Sequence, residues 1–140
     1  MAVSDASDER RAVEHFLRVG SFAVVGASSN RSKYGNKVLR CYAQHGLPVI
    51  GVNPRAQEIE GLPCYVSLLE VPGLPRAVSV VAPPALAGSI VADALQQGVT
   101  HLWFQPGAED DAAIAKARSG GIEVIAFGPC LLVVLGFEDV

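Results

Sequence analysis

Short apolar runs punctuate the chain at even spacing: residues 22–26, 49–52, 77–81, 101–104 and 122–126. Each is rich in β-branched or aromatic residues and bounded by Gly, Pro or Asn, which predicts a strand. The apolarity is near-continuous rather than alternating, so the strands are expected to be covered on both faces, as in a parallel sheet. Helical spacing fills most of the intervals. Residues 35–45 place Val38, Leu39, Tyr42 and Ala43 on one side, with Gly46 as a stop. Residues 84–97 open on proline and end before Gly98, turning Leu86, Ile90, Val91, Ala94 and Leu95 inward. Residues 109–119 begin with three acids and end on Lys116, Arg118 and two glycines, in keeping with the helix dipole. A further helix is predicted over 8–19, capped by Ser7 or Asp8. Residues 57–75 read as a loop with one short helix near 67–70.

Alternating strands and helices with short links predict a Rossmann-like, doubly wound α/β sheet of about five mainly parallel strands. A length of 140 residues makes this one domain over 1–140, with residues 1–20 as an N-terminal helix packed on it. Such sheets bind ligands at the C-terminal strand ends, near the point where strand order reverses. The loops after Val25, Val52, Val81 and Phe104 are therefore the ones to read for chemistry.

Composition narrows the ligand. The chain is 18% charged with a net charge of −3, which argues against nucleic acid or an acidic membrane surface as partner. No apolar run reaches the roughly 18 residues of a membrane span. Cys41, Cys64 and Cys130 form no CxxC pair and suit reduced thiols, so a cytoplasmic setting is expected. The polar, acidic first residues lack the apolar centre of a signal peptide. Charge is nevertheless uneven. No Asp or Glu occurs from His15 through Gln57, whereas Arg18, Arg31, Lys33, Lys37, Arg40 and Arg55 all do. A local basic excess in an acidic protein favours a small polyanion over a merely solvated face.

The loop after the first strand sits in that zone. Gly26 permits tight reversal and close backbone approach, Ala27, Ser28 and Ser29 are small, and a helix follows Gly35. Free amides, serine hydroxyls and the charges of Arg31 and Lys33 suit a phosphate there. The loop is not GxGxxG, and a plain strand-to-helix turn is the bland alternative. After the second strand stand Asn53, Pro54 and Arg55, where NAD-binding folds usually carry an acid for the ribose hydroxyls. That departure fits a phosphorylated ribose, as in NADP or coenzyme A; Asn-Pro is also an ordinary turn starter. The loop at Ala82, Pro83 and Pro84 is a rigid apolar bend, lining a slot or simply ending a strand. Gln105, Pro106 and Gly107 place a neutral amide and a small residue at the fourth strand end, while Trp103 reads as core.

Chemistry is harder to find. His15, His45 and His101 are scattered without metal-ligand spacing. GxSxG is absent, and Glu58, Glu60 and Asp93 are not at strand ends. The acids that a phosphorylatable receiver domain needs after its first and third strands are missing.

Taken together, a strand ending in Gly26-Ala27-Ser28, a strand entering Asn53-Pro54, the Pro83-Pro84 bend, the segment from Trp103 to Gly107 and the late Cys130 resemble the small CoA-binding proteins. These are stand-alone relatives of the nucleotide-binding domain of succinyl-CoA synthetase α subunits. The resemblance, spanning about residues 22–130, implies a domain holding coenzyme A or an acyl-CoA across the strand ends. It implies phosphate contacts from Gly26, Ala27 and Ser28, with Arg31, Lys33 and Gly35 completing the turn. Asn53 and Pro54 would sit by the nucleotide, Ala82 and Pro83 would flank adenine or pantetheine, and Gln105, Pro106 and Gly107 would close the slot. Some family members carry a base before the Pro-Pro bend, where this chain has Val81-Ala82. The ligases carry phosphate on a histidine of a later domain, so binding without catalysis is expected here. Two alternatives stay open: an NADP-binding, oxidoreductase-like or redox-sensing domain, and an interaction module using residues 131–135, which a homodimer would support.

Overall fold

The computed structural model describes residues 6–73 and 76–140. The five predicted strands are all present, as β1 (Phe22–Val25), β2 (Val49–Val52), β5 (Ala77–Val80), β6 (His101–Phe104) and β7 (Glu123–Ile125). They pair in parallel in the spatial order β2-β1-β5-β6-β7. After β2 the chain crosses to the other side of β1, so order reverses at β1 and β5. That is the switch point of a doubly wound, Rossmann-like sheet.

Strand alternation divides the core in two. Val24, Phe22, Trp103 and Ile125 face α1 (Ala6–Arg18), α2 (Tyr34–Gln44) and α5 (Leu131–Leu135). Ala23, Val25, Val78, Val80, Leu102 and Phe104 face α3 (Ala87–Gln97) and α4 (Asp111–Ser119). Both faces are covered, which is why the strands read as continuous apolar runs. Trp103 is fully buried as expected; its indole donates to the Pro129 carbonyl at 2.9 Å and its ring meets Phe16 edge-on.

The sheet has seven strands rather than about five. The segment predicted as a loop contains a hairpin, β3 (Glu58–Ile59) and β4 (Leu62–Tyr65), and β4 extends the sheet in parallel beside β2. A two-residue strand and a proline inside β4 hide this pattern, since proline is confined to edges. The short helix expected there is a 3-10 turn over Leu68–Glu70. Smaller corrections follow from packing. α1 is described from Ala6 onward, and Ser7 and Asp8 lie inside it rather than capping it. In α2 Cys41 is buried and Ala43 exposed, and α4 starts at Asp111 rather than 109, with Asp110 capping it by accepting from the Ala113 amide at 3.0 Å. Leu86 is 50% exposed rather than core. Residues 131–135 form α5, which buries Leu131 against α2 and leaves Val133 and Val134 outward.

Candidate functional site

An open cavity of about 610 Å³ lies at the C-terminal strand ends, over the switch point, within the usual size of small-molecule sites. Its floor is Gly26, Ala27 and Ser28 after β1, with Lys33, Tyr34 and Gly35 entering α2. One wall is Asn53, Pro54 and residues 66–68; the other is Val81, Ala82, Pro83 and the start of α3. Nine of the thirteen candidate residues thus share one cavity: Gly26, Ala27, Ser28, Lys33, Gly35, Asn53, Pro54, Ala82 and Pro83. Arg31, Gln105, Pro106 and Gly107 do not line it.

The loop between β1 and α2 is held from beneath by its carbonyls. The Ala27 carbonyl accepts from Asn53 Nδ2 at 2.8 Å and the Ser28 carbonyl from Asn36 Nδ2 at 2.8 Å. The Asn30 carbonyl accepts from the Lys33 amide at 3.0 Å, and the Arg31 carbonyl from Arg40 Nη2 at 3.0 Å. In a trans peptide the N–H points opposite to the C=O. Tying the Ala27 and Ser28 carbonyls to the body therefore turns the Ser28 and Ser29 amides away from it. Gly26 adopts φ +98°, and a Cβ there would come within 2.9 Å of the Ala82 amide nitrogen. Two outward-turned amides thus stand ahead of the N-terminus of α2, an end whose dipole favours negative charge.

The donors beneath the loop were not legible in the sequence. Asn36 and Arg40 are buried, Arg40 Nε donating to Asn36 Oδ1 at 2.6 Å. Arg40 pairs with Asp139 at 3.0 Å, and Lys37 approaches the same carboxylate at 3.7 Å. The acid-free stretch is therefore met by acids from elsewhere, and much of its charge serves the fold. Arg31 likewise contacts Glu60 at 3.3 Å and donates to the Val140 carbonyl at 3.0 Å. Lys33 has no carboxylate partner among the described residues and reaches the cavity.

Asn53 is engaged at both ends of its amide: besides holding Ala27 through Nδ2, its Oδ1 accepts from the Arg55 amide at 2.7 Å. Gln105 is buried behind Tyr34, its Oε1 accepting from the Leu131 amide at 2.8 Å and the Tyr34 hydroxyl at 3.2 Å; its Nε2 has no partner among the described residues. Tyr34 also meets Cys130 Sγ at 2.6 Å, and burial, then that bond, push its phenol above the ordinary range. Burial raises the Cys64 thiol as well and takes Cys41 to about 11. Residues that sequence reasoning missed are Tyr34, Val66, Ser67, Leu68, Ser89 and Asp93, several from the segment read as a loop. The lining holds one ammonium, Lys33, one carboxylate, Asp93, and neither histidine nor cysteine. Among the described residues no cluster has the make-up of a metal site, and no helix is long and apolar enough to cross a membrane.

The family model for the CoA binding domain matches residues 20–136. The chain belongs to that family. The CoA-binding domain here is 34% identical over 77 residues to ADP-forming acetate–CoA ligase I of Archaeoglobus fulgidus, covering 55% of this chain and 11% of the ligase. Ligase II of the same organism is 28% identical over 131 residues, 85% of this chain and 19% of the ligase. The domain thus spans less than a fifth of these curated relatives. Among solved structures, a conserved hypothetical protein from Pyrococcus furiosus superposes with a TM-score of 0.76 at 39% identity, over 81% of this chain and 97% of that one. A hypothetical protein from Pyrococcus horikoshii gives 0.85 at 29% identity, over 95% of each chain.

Proposed function

We propose that this CoA-binding domain holds coenzyme A or an acyl-CoA, with its phosphates on the Ser28 and Ser29 amides and the Lys33 ammonium. The observation carrying this is the carbonyl-anchored loop opening into a cavity at the switch point, inside a family defined by CoA binding. Relatives named as acetate–CoA ligases contain this unit as a small part of a longer chain. Adenine or pantetheine would lie between Pro54 and Val66 on one side and Ala82, Pro83 and Leu86 on the other, where the lining is apolar. We assign binding alone to this cavity.

NADP is the competing ligand, since no acid follows β2 and Arg55 is exposed there. Calorimetric titration with CoA, acetyl-CoA, NADP and NAD separates the two. Saturable CoA binding, weakened about fivefold in K33A (roughly 1 kcal/mol for an exposed charge), is the expected result. NADP binding without CoA binding would reverse the assignment.

A further inference from the structure

Glu60 occupies a place that local structure disfavours. With Gly61 it forms the two-residue turn of the β3–β4 hairpin, and both have positive φ, +53° and +76°. Such turns take Asn-Gly or Asp-Gly by preference, and a glutamate in the left-handed region is held at a cost. Although it is a hairpin tip, its side chain is only 25% exposed, because it folds back onto the loop between β1 and α2. There one oxygen, Oε2, meets Arg31 Nε at 3.3 Å and accepts from Asn36 Nδ2 at 3.2 Å. The same Asn36 amide holds the Ser28 carbonyl at the cavity floor. A carboxylate is thus delivered, by a strained turn, to an arginine of the basic loop, two residues from the ammonium that reaches the cavity.

We infer that Glu60 is an internal competitor of the ligand: together with the Val140 carbonyl it holds Arg31 beside the cavity in the empty protein, and a bound phosphate must draw Arg31 away from it. A carboxylate carries one charge and a phosphate monoester up to two, so a highly charged ligand wins the exchange and a weakly charged one does not. Glu60 is in this sense a specificity-determining residue that sets how anionic a ligand must be. The inference rests on the CoA reading above and adds to it the identity of the residue tuning affinity.

The informative variant is E60Q, because glutamine keeps an oxygen for Asn36 and removes only the charge. E60N removes the carboxylate and suits the turn, so it provides a second variant that folds at least as well as the wild type. Calorimetry with CoA at low and moderate salt should show both variants binding roughly three- to fivefold more tightly than wild type at low salt, the worth of an exposed ion pair released. The gain should vanish when Arg31 is also replaced by alanine, and should shrink as salt is added. Unchanged or weaker CoA binding by E60Q and E60N, with wild type binding normally, overturns the inference alone. A gain that survives R31A overturns it too. Failure of wild type and both variants to bind CoA overturns this inference and the CoA reading together, whereas binding by the variants but not by wild type supports both.

Discussion

Gly35 at the start of α2 lies directly over the carbonyl of Gly26 at the end of β1, and a Cβ on Gly35 would collide with that oxygen. Both partners are backbone, so no side-chain rotation relieves the overlap. This contact brings the first turn of α2 against the strand end and closes the floor of the cavity. The substitution G35A should therefore destabilise the domain by about 1–3 kcal/mol, as overpacking does, and abolish ligand binding. Gly88 in α3 offers the contrast, since nothing lies within 4 Å of a Cβ built there. G88A should stabilise by about 0.5–1 kcal/mol through helix propensity. Urea unfolding of the two variants checks both signs; a neutral G35A would show that the loop accommodates a methyl.

Asn53 joins the two loops that form the site, donating to the Ala27 carbonyl while its oxygen takes the Arg55 amide. Aspartate preserves the second bond and loses the first, setting a carboxylate against a carbonyl. N53D should cost about 1–3 kcal/mol of stability and weaken CoA binding. It should not create NAD affinity, because the carboxylate stays committed to the Arg55 amide. Thermal unfolding and NAD titration test this, and acquired NAD binding would show that the side chain is free to reach a ribose.

The main frame of the fold was readable because β-branched runs covered on both faces leave an unambiguous pattern. The β3–β4 hairpin was not, since two residues carry no periodicity and Pro63 argues against a strand. The cavity loops were located by strand ends alone, which fix depth but not facing. Gln105 shows the difference: Phe104 packs toward α3 and α4, so the next side chain turns the other way, to Leu131 at the start of α5. Arg40 and Asp139 meet across 99 positions of sequence, and no local pattern announces such a pair. Six bases without an acid therefore looked more ligand-directed than they are.

Ser79, a polar residue in the central strand β5, is explained by Tyr42 from α2. Both are fully buried and their hydroxyls lie 2.6 Å apart. S79A and Y42F should each cost about 1–3 kcal/mol by leaving the other hydroxyl unpaired in a dry core. The double variant should cost clearly less than the sum of the two. Chemical denaturation of all four proteins forms the cycle, and strict additivity would mean that the hydroxyls are solvated some other way. The Tyr42 ring stacks on Phe22 with centroids 4.8 Å apart, and phenylalanine keeps that contact, so the cycle isolates the hydroxyl pair.

Acid should loosen the C-terminal segment before it disturbs the loop under the cavity. The hydrogen bond from Arg40, then the charges of Arg40 and Lys37, hold the Asp139 carboxyl below its ordinary range. A carboxyl lowered on folding contributes stability above its unfolded pKa of about 3.9, and that contribution disappears as pH falls through the lower folded value. Protonation removes the charge from Asp139 but leaves Arg40 bonded to Asn36 and the Arg31 carbonyl, which do not titrate. Amide exchange at residues 136–140 should therefore accelerate below about pH 4, while exchange at residues 27–33 lags. An NMR titration of the Asp139 carboxyl gives the direct check. A midpoint at or above the ordinary value, or simultaneous opening of both segments, would show that Arg40 does not hold this carboxylate in solution.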